Sequence, residues 1–155
     1  MIEVVISIGV LAVAVPMVFG ALAEGGKSST AARAETRSAW IVPACMEEIQ
    51  ASREGRPRFF AATAKGAAFP PAGEVWALAF SADGKPIGRM PKGLYDSGAG
   101  DLDGRPVRYI ASIRSASVTP GSGGGPLLRA EITLEYPATA KAAKRAKLDF
   151  HTLVP

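Results

Sequence analysis

An α+β fold is predicted for this chain of 155 residues, on three observations. An uncharged run headed by Glu3 extends from Val4 to Ala23, apolar residues keep helical spacing from there to about Arg53, and beyond Glu74 the period changes to two. Together they predict a long N-terminal helix, apolar in its first half and amphipathic in its outer half, packed on a roughly four-stranded antiparallel sheet. The expected organisation is an apolar helix over 1–23, an amphipathic continuation over 24–54, a connecting loop over 55–73 and an antiparallel β-sheet domain over 74–155.

The first element is VVISIGVLAVAVPMVFGALA, Val4 to Ala23. At about 1.5 Å per residue such a helix spans about 30 Å, the thickness of a bilayer's hydrocarbon core. A run of this kind belongs in lipid or in the interior of an assembly. Glu3 at its head is a carboxylate beside a membrane segment, which is expensive unless neutralised and therefore a candidate functional group. After Ala23 the residues turn polar but stay helical in spacing. Ala34, Ser38, Ile41, Val42, Cys45 and Ile49 form one face, leaving Arg33, Glu35, Arg37, Glu47 and Glu48 mainly on the others. Glu54-Gly55 and Arg56-Pro57 stop the helix. Pro16, Gly25-Gly26 and Pro43 are expected to interrupt it, giving one long, articulated helix.

Residues 55–73 have no clear period and are rich in Ala, Gly and Pro, which predicts a loop with a short helical turn near Phe59 to Lys65. In the next segment Trp76, Leu78 and Phe80 share one strand face, and Asp83-Gly84 signals a hairpin. The return strand, Pro86 to Met90, reads as an edge because Pro86 cannot donate to a ladder. Pro91 to Gly104 reads as a Gly- and Asp-rich loop. The strand Val107 to Val118 places Val107, Tyr109, Ala111 and Ile113 inward, with Arg108, Ser112 and Arg114 outward. GSGGG, Gly121 to Gly125, makes a hairpin loop. Leu128, Ala130, Ile132, Leu134 and Tyr136 then alternate against Arg129, Glu131, Thr133 and Glu135. Lys147 to Val154 closes the sheet with Leu148, Phe150 and Thr152 on one side, so that one sheet face is apolar and the other wet.

The formal charge of +4 is mild and its basic residues are scattered, with no stripe interleaved with stacking aromatics, which argues against nucleic-acid binding. The cluster KAAKRAK, Lys141 to Lys147, lies between strands and reads as a solvated turn. Cys45 stands alone, has no internal disulfide partner and is expected to be buried in a helix face. His151 reads as an ordinary strand histidine, and Trp40 and Trp76 as packing residues. No Ser-His-Asp set, supported Cys-His pair or metal-ligand spacing is present, and GSGGG precedes a strand rather than a phosphate-cradling helix, so no enzyme activity is expected.

Met1-Ile2-Glu3-Val4-Val5-Ile6-Ser7-Ile8-Gly9-Val10-Leu11-Ala12 resembles the start of a mature type IV pilin or type II secretion pseudopilin. That family opens with a phenylalanine, a small polar residue, an aliphatic pair and a glutamate, followed by a continuous hydrophobic helix. Glu3 matches the family glutamate, and Ile2 and Val4 its aliphatic neighbours. The motif covers about twenty residues, and the helix-then-sheet order extends the likeness more loosely to the whole chain. The short domain without a disulfide loop is more like a minor pseudopilin than a major adhesive pilin. Met1 falls where the third mature residue would be. The basic leader, cleavage-site glycine and first phenylalanine are therefore missing from the sequence as written, and a leader upstream is what a prepilin peptidase would need.

The resemblance implies a structural filament subunit held in the bacterial inner membrane by a single pass, with residues 24–155 in the periplasm or outside. Assembly would draw Ile2, Val4, Val5, Ile8, Leu11 and Pro16 into a filament core, where Glu3 pairs with the N-terminal amine of a neighbouring subunit and sets axial register. The implied partners are other pilin or pseudopilin subunits, the inner-membrane assembly platform, prepilin peptidase and the lipid bilayer. Some pseudopilins hold Ca²⁺ in a β-region loop, which makes Asp96, Asp101 and Asp103 the candidate ligands here. That stretch is too ligand-poor for an EF-hand, and an ordinary solvated turn is the favoured reading. The alternative is a secreted or membrane-anchored extracytoplasmic binding protein. Ala21-Leu22-Ala23 fits a signal-peptide cleavage pattern that would leave Glu24 first. Against it, the segment lacks a basic n-region, carries an acid there, and exceeds the usual apolar length of about 7–15 residues.

Overall fold

A single helix, α1, runs through Ile2–Arg53 in the computed structural model. Backbone is described for residues 2–64, 67–71, 74–118 and 127–154, and side chains for the same positions apart from 2–9, 27, 116–118, 127 and 128. The expected interruptions do not break α1, which stays helical through Pro16, Gly25-Gly26 and Pro43. A proline inside a helix forfeits one hydrogen bond, and the flanking turns keep theirs. The hydroxyls of Thr30 and Thr36 donate to the carbonyls of Gly26 and Ala32, each at 2.9 Å. The chain divides into two compact units, Met1–Thr36 and Arg37–Pro155, with the boundary inside α1.

The stop signal at Glu54-Gly55 is realised as a left-handed cap. Gly55 has φ 74°, the Gly55 amide donates to Ser52 at 3.3 Å, and the Arg56 amide reaches the Ala51 carbonyl at 2.8 Å. The chain then folds back on the last turns of the helix. Glu48, expected on a wet face, is buried, and its carboxylate accepts the amides of Arg58 (3.1 Å), Phe59 (2.8 Å) and Phe60 (3.0 Å). The Ser52 hydroxyl donates to the Ala61 carbonyl at 2.6 Å, and the Thr63 amide to the Ser52 carbonyl at 3.1 Å. These bonds take the place of the helical turn expected near Phe59 to Lys65, whose described residues, 59–64, are non-helical.

The sheet has five antiparallel strands rather than four. They are β1 (Trp76–Phe80), β2 (Pro86–Arg89), β5 (Tyr109–Val118), β6 (Leu127–Tyr136) and β7 (Ala146–Val154), in the order β2-β1-β5-β6-β7. A two-stranded hairpin, β3 (Asp101–Leu102) and β4 (Arg105–Pro106), stands apart from it. The β1–β2 turn carries Gly84 at φ 83°, and a Cβ there would meet Trp40, Arg37 and Ile41 of α1 at 3.7–3.8 Å. The expected GSGGG loop, 121–125, lies outside the described residues.

Register fixes the two faces. Rows such as Leu78–Ala111–Leu134–Leu148 and Trp76–Ile113–Ile132–Phe150 line the first face. Ile41, Cys45 and Ile49 of α1 are buried, as are these residues on β1, β5 and β6. Trp76 is sandwiched between Phe60, parallel at 4.4 Å, and Phe69 at 5.5 Å. The Arg53 guanidinium lies 5.7 Å from the Phe69 ring centre. Trp40, expected to pack, is instead 67% exposed.

The second face departs most from expectation, because half of it is covered. Within the stretch expected to be a loop, Pro91 to Gly104, lie α2 (Lys92–Ser97) and β3. With β4 and the following residues they bury Ala77, Ala79 and Ile110 in a second core that includes Ile87, Met90, Tyr95, Ala99, Leu102, Val107 and Ala138. Val107 therefore packs on the side opposite the one its alternation with Tyr109 predicts; it precedes β5 rather than belonging to it. Ser112 and Glu135, expected outward, are buried under the same cover. Gly98 allows α2 to dock: at φ 90° its position leaves a Cβ only 2.6 Å from the Thr139 carbonyl oxygen.

Glu48→Ala removes the shared acceptor of three amides, and a loss of about 2–3 kcal/mol in unfolding free energy is expected, read by urea denaturation. Hydrogen exchange at residues 58–60 should rise with it; unchanged protection there would refute this anchoring role.

Candidate functional site

Two features of the chain stand out chemically, and the first is the apolar stretch of α1. Val10, Leu11, Val13, Val15, Met17, Val18, Phe19 and Leu22 are between 45% and 71% exposed. At 100° per residue these positions surround the helix rather than form a stripe. By length and composition this helix is able to cross a membrane, and none of its most apolar window is buried. Leu11 and Pro16 of the expected filament-core set lie in this exposed stretch. For Ile2, Glu3, Val4, Val5 and Ile8 the helical backbone is described, but their side chains lie outside the described residues.

The second feature is a buried charge cluster under α2. Glu135 on β6 and Arg145, just before β7, form an ion pair at 2.9 Å with both side chains essentially inaccessible. The sequence places Arg145 in a solvated basic turn; of that cluster's basic residues Lys141, Lys144 and Lys147 are exposed, whereas Arg145 is buried. Tyr95 of α2 donates its hydroxyl to Glu135 Oε1 at 2.6 Å, and Ser112 reaches the same oxygen at 3.4 Å. Arg145 Nε donates to the Ala140 carbonyl at 2.9 Å, its second terminal nitrogen donates to the Tyr95 carbonyl, and the guanidinium lies 5.0 Å from the Tyr95 ring centre. A planar guanidinium serves these directions at once, which an ammonium does not. Burial, followed by the Glu135 hydrogen bond and charge, pushes the Tyr95 phenol up to about 12.

Beside this cluster the uncovered half of the second face forms a polar cleft of about 230 Å³, lined by Arg114, Glu131, Thr133, Lys147 and Asp149 among others. Its groups are tied to one another. Thr133 donates to Asp149 at 2.6 Å, and Glu131 lies 3.9 Å from His151 Nδ1 and 3.8 Å from Arg129. A more open groove of about 450 Å³ lies by β2, beside the Arg89–Glu74 ion pair at 3.0 Å. Cys45 is buried and reduced; burial first, and the Glu48 carboxylate second, raise its thiol far above the ordinary range and leave it protonated. The candidate Ca²⁺ ligands are exposed and serve separately, Asp101 accepting the Gly104 amide at 3.0 Å across the β3–β4 turn. Among the described residues no three His, Cys, Asp or Glu side chains are grouped to hold a metal ion.

Fold and site together define an α+β protein whose N-terminal helix is long and apolar enough to cross a bilayer. No family model, no curated protein and no solved structure matches the chain.

Arg145→Met strands the Glu135 carboxylate in the interior, and a loss of about 3–5 kcal/mol is expected in chemical denaturation. Arg145→Lys should recover only part of it despite keeping the charge. The raised Tyr95 pKa gives a separate expectation. An unfolded phenol titrates near 10, so the stabilisation from holding it neutral is complete below about pH 10 and is lost as pH rises towards 12. Urea midpoints across that range should fall less steeply in Tyr95→Phe than in the parent chain.

Proposed function

We propose that the protein is a structural subunit of a type IV pilus-like or type II secretion pseudopilus filament, held in the bacterial inner membrane before assembly. The observation that carries this reading is the apolar stretch of α1, exposed on every side from Val10 to Leu22. Leaving one such side chain in water forgoes about 1.5–3 kcal/mol, so the segment requires lipid or neighbouring helices around it. A filament subunit needs both environments in turn, lipid before assembly and other copies of the helix after it.

Glu3 separates this reading from a plain anchor. An anchor gains nothing from a carboxylate at the head of its span, where desolvation is costly. In a filament the carboxylate pairs with the N-terminal amine of the adjacent subunit, and the pair contributes axial register more than stability. Residues 24–155 then lie in the periplasm or outside the cell, with the α+β domain on the filament surface. The pilin-like order of long helix followed by antiparallel sheet, and the resemblance of Met1 to Ala12 to pilin N-termini, support the same assignment.

Glu3→Ala is expected to abolish recovery of the protein in sheared filaments while its membrane level and domain folding stay at parent values. Normal incorporation would eliminate the register role. Intact-mass analysis of the native N-terminus supplies the complementary test, since a mature chain beginning at Glu24 would establish a cleaved signal peptide instead.

A further inference from the structure

The two edges of the sheet are built differently. Edge strand β2 has four residues, begins with Pro86 and pairs through a register irregularity at Ala79/Phe80. These are ordinary devices that stop a sheet from growing. Edge strand β7 has none of them. It runs for nine residues, Ala146–Val154, contains no proline and pairs with β6 in unbroken register from Ala146 to Val154. Among the described residues no strand pairs with its outer side. Every second residue of β7 therefore turns its amide and carbonyl away from β6. The apolar layer also runs off this edge: Leu148 and Phe150 remain half-buried, while their row partners Ala111, Leu134, Ile113 and Ile132 on β5 and β6 are buried.

We propose that β7 is a self-association edge, pairing antiparallel with β7 of a second copy of this chain about a two-fold axis at Phe150. Charge pattern and strand length select this occupant and register. Two-fold antiparallel pairing places residue i opposite a residue whose number sums with it to a fixed even value. Centring on Asp149 puts Asp149 opposite its own copy and Lys147 opposite His151, and centring on Lys147 or His151 likewise faces a group with itself. Centring on Leu148 pairs Lys147 with Asp149 but overlaps only the first part of the strands. Centring on Phe150 overlaps all of Ala146–Val154. It places Asp149 of each copy opposite His151 of the other, Leu148 opposite Thr152, Lys147 opposite Leu153, and Phe150 opposite Phe150. A carboxylate opposite an imidazole whose N–H can donate to it, and paired aromatics, are both favourable cross-strand contacts. The result is one sheet continuous through both copies, with the apolar layer closed across the seam.

This inference stands on the sheet edge alone and is independent of the filament reading. It is tested on the full chain in detergent by single-cysteine oxidation, Cys45 being buried. Phe150→Cys is expected to form a disulfide-linked dimer, because directly opposed residues lie within the reach of about 7 Å that a disulfide requires. Leu148→Cys is not, since its counterpart lies about 14 Å away along the strands. Linkage at 148 equal to that at 150, or none at 150, overturns the register. Sedimentation supplies the second reading. His151→Asp faces Asp149 with a like charge on both sides of the axis and should weaken dimerisation about tenfold, and adding Asp149→Lys to it should restore association. A parent chain monomeric up to about 100 µM, or a dimer indifferent to these charges, overturns the proposal.

Discussion

The ion pair between Glu135 and Arg145 constrains more of this fold than any other contact, because it commits three separate segments to one place. Removing two charges from water costs several kcal/mol per ion, and their mutual attraction offsets that only when the remaining donors and acceptors are also satisfied. Here they are satisfied by Tyr95 from α2, Ser112 from β5 and the Ala140 carbonyl from the β6–β7 connection. Each partner is therefore obliged to stay where it is. The connection must cross the second face to deliver Arg145, and α2 must lie close enough for Tyr95 to stack on the guanidinium. The close approach at Gly98 follows from the same requirement. A hydrophobic replacement of the pair would hold these segments with equal strength and less direction.

Glu48 solves a related problem on the other side of the sheet. The chain that leaves α1 has amides at Arg58, Phe59 and Phe60 that no helix or strand ladder serves, and buried amides demand acceptors. One carboxylate accepts all three. That holds Phe60 flat against Trp76 and so helps to close the first core. Both buried glutamates stand where regular structure ends and irregular backbone must still be packed. Regular elements satisfy their own backbone groups; the joins between them need side chains to do it.

That distinction separates what is legible in the sequence from what is not. The long helix, its stop at Gly55, the Asp83-Gly84 turn and the main strands are written in local periodicity and turn chemistry, which a sequence displays directly. Burial of a polar residue depends on what lies above it. Glu131 and Glu135 occupy equivalent outward positions of the same alternating strand, yet only Glu135 lies under α2. Arg145 looks like its lysine neighbours until the connection is folded. Helix α2 itself has six residues, too few to show a period, and it contains Gly93. Of the candidate site, the apolar run is legible because composition alone decides it. The separation of Asp96, Asp101 and Asp103 is not legible, because sequence proximity does not set the direction of three carboxylates.

The chain treats apolar surface in two opposite ways, and the contrast bears on how α1 behaves. In the α+β domain Trp76 is closed between two phenylalanine rings, whereas eight large side chains of α1 from Val10 to Leu22 have no cover. Between that stretch and the domain's buried helical residues lies Gly25-Gly26. Each glycine costs about 1 kcal/mol of helix stability relative to alanine. Beyond the adjacent residues and the helix's own backbone, no described atom lies within 4 Å of where their Cβ atoms would be, so no packing compensates. The helix persists there because propagation from established turns on both sides is far cheaper than nucleation. Gly25-Gly26 is accordingly a weak turn of α1 between the exposed apolar stretch and the part of the helix that Glu48 and Ser52 tie to the domain. In the filament role proposed above, a helix that leaves a bilayer and lengthens into an assembly would gain from a weak turn at that junction.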